Sequence, residues 1–272
     1  MRKSIANLPA PAYAGVIRET TTRAAIAQIK NCQYNGATLI DLHMSCLLDS
    51  SVQELEKIIK STSLPLLALN YNNTYLWEKA GLSEQERVDS FLRAIDAGAA
   101  GIDMQAYTFD AFSKTGFHGE DKYSFTKGCP KEVVTDEAII YQQRQLIDQV
   151  HNAGAEVLLS CHPGIPMTAE QVVDLALYLE KREPNVIKIV TRAETEDDLL
   201  ESFRAMVALK REVKTPVSYH AAGKAGMLPR LVNPVLGSHI AFCVDRFSPS
   251  STLEQVDLQS ARQIIDNMIR YL

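Results

Sequence analysis

Lys188 stands inside Val186-Ile187-Lys188-Ile189-Val190, a run otherwise made of branched apolar residues. An ammonium buried in such a run is costly unless it is paired or loses its proton. Desolvation and nearby cations favour the neutral amine, and a neutral amine attacks carbonyls. Lys188 is therefore a candidate Schiff-base lysine; a lysine that snorkels outward from an edge strand is the plainer alternative. His162 ends the preceding apolar run, where an imidazole beside an amine can move protons during imine formation and α-proton removal. Strand periodicity puts residues i and i+2 on one face. It pairs Asp41 with His43, Asp103 with Gln105, Ser160 with His162 and Ser218 with His220. Further on, Gly223-Lys224-Ala225-Gly226 leads to Arg230. A glycine turn carrying Lys and Arg reads as an anion seat made of backbone N–H groups and a guanidinium.

These residues need a scaffold that brings strand ends together. Eight short apolar runs, at 13–17, 38–44, 65–70, 101–105, 156–162, 186–191, 216–221 and 239–244, have the character of buried parallel strands. Between them, segments 22–33, 52–61, 84–97, 136–153, 169–181, 195–211 and 256–271 repeat apolar residues at helical spacing. Ser83 with Glu86 and Thr168 with Gln171 resemble capping boxes. The alternation predicts a single (β/α)8 TIM barrel over 1–272, with its site at the C-terminal ends of the strands. A doubly wound sheet is disfavoured, since no Gly-x-Gly-x-x-Gly follows the first strand. The connection 106–135 is out of proportion and rich in aromatics. Long loops of this kind are usually binding elements, so it is expected to be a lid over the C-terminal face.

The composition excludes several partners. Against 28 Lys and Arg stand 33 Asp and Glu, a net charge of −5, which leaves no electrostatic footprint for nucleic acid. No window is long and apolar enough for a membrane span. The first ten residues lack the apolar stretch of a secretory signal. The five cysteines are scattered without CxxC spacing. They read as small buried side chains in a reducing compartment, so a cytoplasmic protein is expected, with no cysteine-based zinc site.

Taken together, Ser160-Cys161-His162, Val186-Ile187-Lys188, Gly223-Lys224-Ala225-Gly226, Arg230-Leu231 and Gly237-Ser238 resemble the type I 3-dehydroquinate dehydratase family. The resemblance runs from about residue 11 to the C-terminus, apart from 106–135. It implies a (β/α)8 barrel that eliminates water from 3-dehydroquinate, a small cyclic keto acid, through an imine on Lys188. His162 would be the general acid and base, and Arg230 would hold the substrate carboxylate. No cofactor and no metal would be needed, the role would lie in the shikimate pathway, and family members are often homodimers.

Several family positions are altered. The Glu-x-Arg that ends strand two is Asp41-Leu42-His43; the arginine after strand three falls at Tyr71; Asp-x-Glu on strand four is Asp103-Met104-Gln105. The serine-bearing loop after strand eight is 248–252, with Ser250 as the candidate contact and no clear match for its glutamine. Asp41, His43, Tyr71, Asp103, Gln105, His220, Ser250 and Arg230 are thus the expected substrate contacts. Two lost arginines remove charge-assisted hydrogen bonds of roughly 1.5 to 3 kcal/mol each. This opens a second reading, an imine-forming relative acting on another carbonyl compound. Two others differ in class: a metal-dependent isomerase or epimerase using Asp41, His43, Asp103, His162 and His220, and a catalytically silent ligand-binding barrel.

Overall fold

The computed structural model of the chain describes residues 2–71, 82–110, 134–248, 251 and 254–270. Strands and helices alternate through them: β1 (Ala12–Ile17), α1 (Thr22–Tyr34), β2 (Leu39–His43), α2 (Val52–Lys60), β3 (Leu66–Leu69), α3 (Glu84–Asp96), β4 (Gly101–Gln105), α4 (Glu137–Asn152), β5 (Glu156–Cys161), α5 (Ala169–Glu180), β6 (Val186–Arg192), α6 (Glu196–Glu212), β7 (Val217–Ala222), α7 (Met227–Leu236), β8 (Ile240–Val244) and α8 (Leu258–Ile269). The strands pair in parallel in the order β7-β6-β5-β4-β3-β2-β1-β8. This is the expected (β/α)8 TIM barrel. Both capping boxes form, at Ser83 with Glu86 and at Thr168 with Gln171.

The ring is completed between β7 and β8 by an unusual seam. The His239 N–H donates to the Val217 carbonyl at 2.8 Å. Next to it, the Tyr219 N–H donates to Ser238 Oγ at 2.9 Å and the Ile240 N–H to Ser218 Oγ at 3.0 Å. Two hydroxyls stand where a ladder would use carbonyls.

Helices pack on the outer faces of the strands through the larger apolar cluster. Inside the barrel the lower half is apolar, with Ala14, Val16, Leu39, Leu67, Leu158, Val186 and Ile240 meeting Ile5. Burying each Val, Leu or Ile contributes about 1.5 to 3 kcal/mol. The segment around Ile5 plugs the bottom: the Ile5 and Ala6 N–H groups donate to Glu156 at 2.6 and 2.9 Å, and His239 meets the Ile5 carbonyl at 3.0 Å. Above this floor the interior turns polar. The ladders set Gln105 level with Ser160, Ser160 level with Lys188, and Lys188 level with Ser218.

Helix α7 is the element that periodicity missed. It carries Pro229 and Pro234, which argue against a helix. Pro229 lies in the first turn, whose N–H groups have no intrahelical acceptor in any case. Pro234 forfeits an internal bond, and it is buried. Most of the expected lid, 111–133, lies outside the described residues, as do Ser250 and Cys129. Cys32, Cys46, Cys161 and Cys243 are buried, as expected.

Candidate active site

The C-terminal mouth of the barrel holds a cleft enclosing about 540 Å³ of empty space, open solvent included. Lys188 reaches it from β6, with its side chain 8% exposed. The burial that the sequence poses as a problem is answered by a counter-ion: Lys188 Nζ donates to Asp103 Oδ2 at 3.0 Å. The same ammonium sits 4.4 Å from the centre of the Phe242 ring, a cation–π contact.

Asp103 is held in turn. Ser160 Oγ donates to its Oδ1, and Gln105 Nε2 approaches that oxygen at 3.3 Å. Arg87, buried on α3, donates to Gln105 Oε1 at 2.6 Å and to Thr108 Oγ1 at 2.8 Å. Burial pulls the Arg87 pKa down, but the Glu84 hydrogen bond and the charges of Tyr107, Glu84 and Asp103 outweigh it, so the net shift is upward. Asp103 and Gln105 are among the expected substrate contacts. Both are fully buried beneath the cleft and absent from its lining, because their polar atoms are committed to Lys188, Ser160 and Arg87. Their place is under the lysine, as its support.

His162, Tyr71, His43 and Asp41 form one wall of the cleft. The Tyr71 hydroxyl meets His162 Nε2 at 3.3 Å, and the two rings pack edge-on at 5.7 Å. His43 packs edge-on to Tyr71 at 6.0 Å, with its Nε2 at 3.7 Å from Asp41 Oδ2. Asp41 Oδ1 is buried and meets no hydrogen-bond donor among the described residues. A buried carboxylate oxygen in that condition calls for a donor from a ligand or water.

Arg230, from the first turn of α7, lines the opposite side and faces Glu254 at 3.6 Å. The Lys224, Ala225 and Gly226 N–H groups are used within the fold, by Glu194, Ala193 and Gly223. The glycines serve packing: a Cβ on Gly223, at φ +93°, would lie 2.6 Å from the Ala193 carbonyl oxygen, and one on Gly226 2.6 Å from the Ala222 backbone. Only glycine allows that approach.

His220 lines the cleft from β7 and packs edge-on to Phe242 at 5.6 Å. Burial, then the charges of Arg230, Lys188 and His162, hold its pKa well below 6.5, while the Ile240 backbone pulls weakly the other way.

Arg18, Phe242, Glu254 and Gln255 also line the cleft and escaped sequence reasoning. Arg18 and Phe242 follow the strand alternation, two residues beyond Val16 and Ile240, and extending the count to β1 and β8 reaches them. Arg18 lies 3.5 Å from Gln255 Oε1. Among the described residues no three His, Cys, Asp or Glu side chains group closely enough to hold a metal ion, so the metal-dependent alternative finds no ligand cluster there.

The profile of the type I 3-dehydroquinase family matches residues 13–270. The chain belongs to that family. Among curated relatives, the 3-dehydroquinate dehydratase of Aromatoleum aromaticum is 21% identical over 203 residues, 71% of this chain and 77% of that enzyme. The enzyme of the same name from Klebsiella pneumoniae is 26% identical over half of this chain and 53% of its own. Among solved structures, a type I 3-dehydroquinate dehydratase from Clostridium difficile, with covalently modified comenic acid, superposes with a TM-score of 0.76 at 13% identity, over all of both chains. The 3-dehydroquinate dehydratase of Geobacillus kaustophilus gives 0.76 at 13% identity, covering 100% of this chain and 97% of its own. At these identities the structural likeness shows the shared fold. No helix among the described residues is long and apolar enough to cross a membrane.

Proposed function

We propose that the protein is a 3-dehydroquinate dehydratase, a lyase of the shikimate pathway, working through a Schiff base on Lys188 with His162 as general acid and base. The observation that carries this reading is the Lys188 amine, raised on Asp103 at 3.0 Å into the same cleft that His162 lines.

The chemistry follows from those positions. Lys188 gives up a proton, for which Asp103 is the adjacent acceptor, and its amine adds to the substrate ketone. Loss of water leaves a protonated imine, which draws electrons and acidifies the neighbouring C–H. His162 takes that proton, the electron pair collapses toward the imine, and the hydroxyl one carbon further on departs with the proton from His162. Water then hydrolyses the imine, releasing the unsaturated keto acid and the free amine. Tyr71 fixes the His162 ring. Asp41 Oδ1 and His43 suit substrate hydroxyls, and Arg230 with Gln255 suits the carboxylate.

A second reading keeps the imine and changes the carbonyl compound. The Arg230–Glu254 pair at 3.6 Å favours it, because a carboxylate already stands where the substrate's would go. Turnover of 3-dehydroquinate, followed by the absorbance of the conjugated product, separates the two. Lys188→Ala is expected to abolish both turnover and borohydride trapping of substrate. His162→Ala is expected to keep the trapped adduct and slow turnover by about 10² to 10⁴. Near wild-type turnover in Lys188→Ala would end the covalent reading.

A further inference from the structure

We propose that Glu254 is a resident competitor for Arg230, so that the cleft penalises a carboxylate on its ligand and favours uncharged carbonyl compounds. This rests on reading Arg230 as the seat of a ligand's carboxylate and adds a specificity residue to that seat.

Glu254 and Arg230 both line the cleft, with side chains 13% and 11% exposed, and Arg230 Nη2 stands 3.6 Å from Glu254 Oε1. An ion pair so far withdrawn from water is screened much less than one on the surface. The chain next to Glu254 is anchored. Gln255 is buried, and the Val244 N–H donates to the Val256 carbonyl at 3.1 Å. Asp257 caps α8 by accepting from the Ser260 N–H at 2.9 Å. These bonds tether the Glu254 carboxylate beside the guanidinium. A tethered group acts at a high effective concentration, and a free ligand has to outcompete it.

The charges of the cleft also balance without a ligand. Counting Lys, Arg, Asp and Glu among the described residues, Arg18, Lys188 and Arg230 stand against Asp41, Glu254 and the Asp103 beneath Lys188. A ligand carboxylate that evicts Glu254 replaces one carboxylate by another on the same guanidinium, so the exchange gains little. One that leaves Glu254 in place sits beside a like charge, which is unfavourable. An uncharged ligand disturbs neither ion pair, and its hydroxyls still find the buried Asp41 Oδ1 to donate to.

The test uses ligands that cannot form an imine. Quinate, the alcohol counterpart of 3-dehydroquinate, and quinamide, its uncharged amide, are titrated by calorimetry. The proteins are the wild type, Glu254→Gln, Glu254→Ala, and the double variant Glu254→Gln with Arg230→Gln. Both single variants are expected to bind quinate about tenfold more tightly than the wild type, the scale of one charge-assisted hydrogen bond, and quinamide within about twofold of it. The double variant loses the quinate gain. No gain for quinate in either single variant, an equal gain for quinamide, or a gain that survives in the double variant overturns the assignment. Where the single variants show no gain, the double variant tells which part failed. Weaker quinate binding there than in Glu254→Gln keeps Arg230 as the carboxylate seat and removes the role of Glu254 alone; unchanged binding removes the seat. Borohydride reduction with 3-dehydroquinate reads the imine separately by mass, and a quinate gain without an adduct on Lys188 removes the imine alone.

Discussion

Replacing Asp103 by Asn tests whether the reactive amine is held by its counter-ion. The substitution keeps the side-chain shape and removes the charge that faces Lys188 Nζ at 3.0 Å. Asp103 is fully buried and the lysine side chain 8% exposed, so bulk water cannot take over the solvation. Removing one member of such a pair costs about 3 to 5 kcal/mol, because the other charge stays buried and uncompensated. At roughly 2 °C per kcal/mol for a chain of this size, the melting point at pH 7 falls by about 6 to 10 °C. Circular dichroism during thermal unfolding reads this directly. Adding Lys188→Met to Asp103→Asn leaves two neutral side chains of similar volume, and the melting point is expected to recover most of the loss. A single variant within about 2 °C of wild type, or a double variant that melts lower still, would refute the view that the pair's burial, and not its surroundings, sets the cost.

Tyr71→Phe removes the hydroxyl that meets His162 Nε2, so kcat is expected to fall about tenfold with KM changed less than twofold, and the acid limb of the pH–rate profile to move; an unmoved profile with unchanged kcat would show that Tyr71 does not position the base. His220 supplies a pH dependence of stability. Its pKa is well below 6.5 in the folded protein and returns to about 6.5 on unfolding, so below pH 6.5 the unfolded chain binds a proton that the folded chain refuses. Stability present above that pH is lost as it falls through the folded value, by up to about 1.4 kcal/mol per unit. Urea unfolding at pH 7.5, 6.0 and 5.0 should show His220→Gln without that part of the slope, and parallel slopes in the two proteins would count against a neutral buried imidazole.

The barrel was legible because its strands are buried on both faces, so short branched-apolar runs mark them without competition from surface residues. The alternation within those runs also placed Lys188, His162, His220, Asp41 and His43 on the cleft wall. What escaped depended on distance in the chain. Arg87 carries Glu84 three residues before it and reads as a surface ion pair; only the fold turns it inward to brace Gln105. The pairing of Asp103 with Lys188 was not legible because one strand cannot show which neighbouring side chain will claim a carboxylate. Pro229 and Pro234 hid α7 because local propensity opposes a helix that tertiary packing stabilises.

The hydroxyl-closed seam has a topological consequence. β8 is registered on β1 through five residue pairs, from Ala12 with Ile240 to Val16 with Val244, whereas it leans on β7 through serine side chains that rotate. The last strand therefore belongs energetically to the beginning of the chain. A circularly permuted gene that starts at β8 would make the firm ladder local and leave the soft joint between its new ends, lowering the contact order that limits how fast the ring can close.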